Sequence, residues 1–228
     1  MTESDTKFRL PQNDQRCLIV GRTGSGKTQL GTWLLSLTDF DKRPWIIIDY
    51  KGDRLLNSTE VIPEIEPTSK PPKKPGLYIM HPLPHETEEV ESFLWACWEK
   101  GNIGIYIDEG YMIPNGKALR ALLTQGRSKH IPMIILSQRP VEIDRFAISE
   151  ADYYFIFRLN DKLDRQSVGR FVDPQLMRYA DKRLLPEFHS AWYDVAKDNA
   201  LILEPVPAQD EIIERIERRS RPGKTTWL

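Results

Sequence analysis

Residues Gly21 to Thr28 read GRTGSGKT, a set of residue types suited to gripping a chain of phosphates. The octapeptide fits the pattern G-x-x-x-x-G-K-[ST]. Gly21, Gly24 and Gly26 let backbone N–H groups wrap a triphosphate at a helix N-terminus. Arg22, Thr23 and Ser25 occupy the positions between them and complete the loop. Lys27 is expected to reach the β- and γ-phosphates, and the Thr28 hydroxyl to ligate Mg2+. The candidate ligands of this segment are therefore ATP and Mg2+.

A second group could turn binding into hydrolysis. The run Ile103-Gly104-Ile105-Tyr106-Ile107 ends in Asp108-Glu109. An aspartate at the tip of such a strand can hold the magnesium ion through water, and a following glutamate can act as general base on the attacking water. Asp108 is the candidate metal-side carboxylate and Glu109 the candidate base. A further strand, Met133 to Gln138, ends in Ser137-Gln138-Arg139-Pro140. A polar side chain at that tip could touch both the γ-phosphate and the attacking water, which makes Gln138 the candidate sensor.

These groups need a scaffold that brings several strand ends to one edge. The chain supplies alternating strand and helix patterns, the signature of an α/β fold with a mostly parallel sheet flanked by helices. Strands are expected at 16–20, 44–49, 76–80, 103–107, 133–138 and 153–159, several of them apolar throughout, as buried parallel strands are. Helices are expected after the phosphate loop, over 86–100 with Val90, Phe93, Leu94 and Cys97 on one side, over 116–126 and over 210–219. Residues 62–75, rich in proline and lysine, read as an exposed loop, and 190–205 as a hairpin.

Composition narrows the class. With 228 residues, 40% hydrophobic and 29% charged, the chain suits a single α/β domain with a sizeable core. The expected organisation is an N-terminal segment over 1–13, a P-loop ATPase domain over 14–208, and a C-terminal helix with a basic tail over 209–228. No apolar run approaches the roughly 20 residues that span a bilayer, so no transmembrane segment is expected. Cys17 and Cys97 lie far apart in apolar surroundings and read as small core residues. The four histidines show no metal-binding spacing. A net charge of −1 argues against a uniformly basic nucleic-acid module, but leaves room for a ring with a few basic residues around a channel.

Taken together, GRTGSGKT, the D-x-K-G-D at Asp49 to Asp53, the strand ending Asp108-Glu109 and the S-Q-R-P strand end resemble the FtsK–HerA superfamily of ring-forming, DNA-pumping P-loop NTPases. Within it, the chain is similar to the genome-packaging ATPases of tectivirus-type, membrane-containing phages. That resemblance implies a RecA-like single domain and an ATP-driven translocase that packages double-stranded DNA into a preformed capsid. It also implies a homo-oligomeric ring, a capsid vertex or portal partner, and residence in the host cytoplasm and at the virion packaging vertex. A neighbouring subunit would supply an arginine finger, for which Arg127 is the first candidate and Arg120 the second. DNA would be held through phosphates, with the Lys70–Lys74 loop and the Arg215–Lys224 tail as candidate contacts. Three alternatives stay open: a plasmid or conjugative DNA pump, a small-molecule P-loop kinase, and an ATP-dependent structural component of the capsid vertex.

Overall fold

The structure, a computed structural model, describes residues 8, 10–11, 14–57, 59, 61–114, 116–180 and 184–220. Eight strands form one sheet. They are β1 (Arg16–Val20), β2 (Pro44–Asp49), β3 (Gly76–Met80), β4 (Gly104–Asp108), β5 (Met133–Ser137), β6 (Tyr153–Ile156), β7 (Ser190–Asp194) and β8 (Asn199–Leu203). Their order across the sheet is β3-β2-β4-β5-β1-β6-β7-β8. The six strands from β3 to β6 run parallel, and β7 and β8 close the far side as an antiparallel hairpin. The central strands are buried along their whole length, which is why they read as unbroken apolar runs.

Helices α1 (Lys27–Leu37), α2 (Arg54–Asn57), α3 (Thr87–Lys100), α4 (Lys117–Gln125), α5 (Arg145–Ser149), α6 (Lys162–Gly169), α7 (Leu176–Tyr179) and α8 (Gln209–Ser220) flank the sheet. Two apolar layers result. One packs α3 and α4 on the sheet through Val90, Phe93, Leu94, Cys97, Leu119 and Leu122. The other packs α1 and α8 on the opposite face through Leu30, Leu34, Leu35, Ile212 and Ile216. Close contacts set the spacing of these layers. The Trp45 indole lies where a Cβ on Gly104 would be, and its Nε1–H donates to Asp39 at 3.1 Å. Glu91 of α3 accepts from the Ala118 N–H at 2.9 Å and so caps α4 across the layer. Cys17 and Cys97 are buried and free. Among the described residues, no helix is long and apolar enough to cross a membrane.

Three local expectations differ from the structure. The strand expected over 153–159 ends at Ile156. Residues 62–75 are not exposed throughout. Ile62 is buried, and the segment lines the outer edge of β3, with the Ile65 N–H donating to the Ile79 carbonyl at 2.8 Å and the Ile79 N–H to Pro63 at 3.0 Å. Free strand edges attract such pairing because their backbone groups need partners. In the C-terminal basic stretch, Arg219 donates to the Ser36 carbonyl at 2.7 Å, pairs with Asp41 at 2.8 Å and stacks over Phe40. It pins α8 to α1 and is not a free cation. Residues 221–224 of that stretch lie outside the described residues, whereas Lys70, Lys73 and Lys74 are exposed.

Candidate active site

Six parallel strands end at the same edge of the sheet, and the candidate groups lie there. The phosphate loop follows β1. Gly24 (φ 74°) and Gly26 (φ 99°) take the left-handed conformation that turns successive backbone amides inward. Gly21 has Phe157 on one side and Ser25 on the other, leaving no room for a Cβ. Gly26 precedes α1, whose first turn carries neither an acidic residue nor a side-chain cap, so its positive end faces the loop unopposed. Lys27 is buried and donates to the Arg22 carbonyl at 3.1 Å. Burial, then Lys51, lowers its pKa to about 8 against the opposing pull of Asp108.

Asp108 and Glu109 end β4, each about 1% exposed. Both Asp108 oxygens are buried without a hydrogen-bond partner. Burial, then the neighbouring Asp49, raises its pKa to about 6, with Lys51 and Lys27 pulling the other way. Asp49 is its register partner across β2–β4. A bare carboxylate in this position is costly to keep, and a cation would relieve it. The residues therefore fit Mg2+, which Asp108 would hold through water and the Thr28 hydroxyl would ligate. Glu109 adopts φ 62° and its Oε1 pairs with the Lys51 ammonium, while Oε2 is buried without a hydrogen-bond partner.

β5 lies between β4 and β1, so Gln138 at its tip separates the acidic pair from the phosphate loop. The Thr23 hydroxyl donates to the Gln138 Oε1, and the Gln138 Nε2 donates to the Tyr111 hydroxyl at 3.1 Å. A chain of hydrogen bonds thus runs from the loop to the turn just after Glu109. Arg127 is set apart from this group. Its 3-10 turn (residues 126–129) precedes β5, at the opposite edge of the sheet, where the guanidinium pairs with Asp152. Arg120 pairs with Asp144 at 2.8 Å. A finger role for Arg127 in a ring would require that edge of one subunit to face the phosphate loop of the next.

Sequence reasoning missed two features. The first is Lys51, which the sequence shows only as one letter of D-x-K-G-D. The second is a cavity of about 260 Å3 beside Gly26, lined by Leu30, Phe157, Phe188 and Val206 with Gln29 and Glu204 at its polar side. It shares Gly26, Gln29 and Phe188 with a polar cleft of about 290 Å3 that contains Lys27, Thr28 and Lys51. A polar cleft running into an apolar pocket has the shape of a nucleoside triphosphate. Its walls come from segments far apart in the chain, and no single motif announces it.

No protein-family model matches this chain. The DNA packaging ATPase P9 of Enterobacteria phage PRD1 is 49% identical over 225 residues, covering 96% of this chain and 99% of the relative. Among solved structures, the genome packaging NTPase B204 from Sulfolobus turreted icosahedral virus 2, in complex with sulfate, has a TM-score of 0.68 at 18% identity. The match covers 86% of this chain and 99% of that one. The same protein has also been solved with AMP, AMPPCP and ATP-gammaS. The pCW3 conjugation coupling protein TcpA shares the fold at a TM-score of 0.56 and 15% identity, over 91% of this chain and 65% of that one. These structures establish a P-loop NTPase fold. Sequence identity of 49% along nearly the whole of both chains goes further: this chain belongs to the family of the DNA packaging ATPase P9.

Proposed function

We propose that this chain is an ATP-driven motor that moves double-stranded DNA into a preformed viral capsid, working as a homo-oligomeric ring at the packaging vertex in the host cytoplasm. The observation that carries the catalytic part is the buried acidic pair Asp108-Glu109 at the same sheet edge as the Lys27–Thr28 loop. Family membership supports the packaging part.

In this reading the apolar pocket at Phe157 and Phe188 receives the base, and the phosphates extend along the polar cleft to Lys27. Lys27 exchanges the Arg22 carbonyl for the β- and γ-phosphates. Thr28 and Asp108 would hold the magnesium ion, which would supply positive charge against the phosphates. Glu109 Oε2 accepts the proton of the attacking water, because Oε1 is taken up by the Lys51 ammonium. Gln138 senses the γ-phosphate and passes its loss to Thr23 and Tyr111. Arg127 of a neighbouring subunit is the candidate finger. DNA contacts fall on phosphates, since a motor must grip a feature that repeats while sequence slides past. Lys70, Lys73 and Lys74 are the exposed candidates.

The test is ATP hydrolysis with and without double-stranded DNA over a salt series. DNA of any sequence should stimulate turnover, salt should suppress the stimulation, and Lys27→Ala should abolish hydrolysis in a folded protein. An active preparation that ignores DNA at low salt but accelerates with a nucleotide or small alcohol acceptor would favour a kinase. Full activity in Lys27→Ala would remove the phosphate-loop reading.

A further inference from the structure

The Lys51 ammonium pairs with the Glu109 Oε1. The base is otherwise poorly held: it is about 1% exposed, its backbone is in the left-handed region, and its Oε2 lacks a hydrogen-bond partner. Lys51 starts from a rigid mount. One Asp49 oxygen accepts from the Lys51 and Gly52 N–H groups at 3.0 Å each, and the other accepts from the Asp53 N–H at 2.8 Å. Gly52 turns the loop at φ 66°. Asp49 itself is fully buried beside Asp108, and its backbone carbonyl lies 3.0 Å from His81 Nδ1. The Lys51 side chain, 41% exposed, therefore crosses from a fixed backbone at the mouth of the cleft to the carboxylate inside.

We infer that Lys51 is the positioning residue of the hydrolytic base: it clamps Oε1 of Glu109 and so turns Oε2 toward the attacking water. An activated group and its base commonly need a third group to orient them. Here the third group is a cation, which also stops the buried carboxylate from swinging toward Asp108 or the incoming phosphates. The inference rests on reading Glu109 as the base. The rival roles for Lys51 are a direct phosphate contact, since it borders the phosphate cleft, and a restraint that withholds Glu109 until it is released.

The experiment compares Lys51→Met, Lys51→Arg, Glu109→Gln and the Lys51→Met/Glu109→Gln pair. Readouts are kcat, KM, and the Kd of a non-hydrolysable ATP analogue. Lys51 is on the surface, so the variants should fold, and thermal unfolding checks this. Expected for Lys51→Met is a loss in kcat of about 10- to 100-fold, the scale of losing an orienting contact, with analogue Kd within about twofold of the parent. Lys51→Arg should recover most of the rate, and the pair should be no slower than Glu109→Gln alone. Weakened analogue binding would overturn the inference in favour of phosphate contact. Faster basal turnover in Lys51→Met would overturn it in favour of restraint, and an unchanged kcat would leave Lys51 without a role. Parental turnover in Glu109→Gln is a separate failure, because it removes the base reading itself.

Discussion

Asp108→Asn should alter the pH dependence of folding in a direction fixed by the site. Burial first, and Asp49 second, lift the Asp108 carboxyl from 3.8 to about 6. The folded chain therefore binds this proton more tightly than the unfolded chain. The stability Asp108 contributes is complete below about pH 4 and is lost as pH rises through about 6. The two limits differ by about 3 kcal/mol, from roughly 1.4 kcal/mol per pKa unit. Roughly half of that falls between pH 5 and pH 7.5. Asparagine cannot ionise and escapes the loss. In EDTA and without nucleotide, the stability of Asp108→Asn relative to the parent should therefore rise by about 1–2 kcal/mol over that range, a shift of a few °C in Tm. Urea unfolding of both proteins at three pH values measures it. Magnesium with a non-hydrolysable ATP analogue should then favour the parent, whose charge has acquired a partner. A difference that stays flat with pH, or grows toward acid, refutes the account of Asp108 as a carboxylate stranded for want of a cation.

Two further outcomes follow. Gly104→Ala puts a methyl group into the Trp45 ring and should cost at least about 1–3 kcal/mol in urea unfolding, as overpacking does; parental stability would mean Trp45 relocates freely. If Arg127 acts between subunits, mixing inactive Arg127→Ala with inactive Glu109→Gln chains should restore some turnover, because one mixed interface holds both intact residues. No recovery despite demonstrated subunit exchange would count against Arg127, and its pairing with Asp152 would then be its whole role.

What the sequence discloses depends on how local the physics is. β1, β2 and β3 were legible to the residue, because each carries a short run of β-branched, aromatic or other apolar residues, as strands of a covered parallel sheet do. The phosphate loop was legible because it is written in one continuous segment, and the α/β class because strand and helix patterns alternate along the chain. The stretch from 160 to 189 was opaque, since α6 carries few apolar residues and α7 is a single turn, too short to show a helical period. Lys51 could be seen as a motif letter but not as the partner of Glu109. That contact exists because β2 and β4 are neighbours in the sheet while β3 comes between them in the chain. The pocket at Phe157 and Phe188 depends likewise on remote segments. Arg219 looked like one more tail cation until α8 was seen lying against α1.

Because β1 lies in the middle of the sheet, its making and its completion are separated in time. Its partners are β5 and β6, and Arg16 is bonded to Asp152, 136 residues downstream. At roughly 5–20 residues per second, the ribosome needs on the order of 7–27 s to make that interval. Until β5 is made, Cys17-Leu18-Ile19-Val20 is a nascent apolar segment with neither of its ladders available, and until β6 is made it has only one. The phosphate loop emerges early but has no neighbouring strand to hold its shape. Nucleotide therefore cannot guide the early stages of folding, and cellular holdases have a defined interval in which to act. Codon changes that slow synthesis between β1 and β6 should lengthen that exposure and lower soluble yield, with the finished protein unaltered.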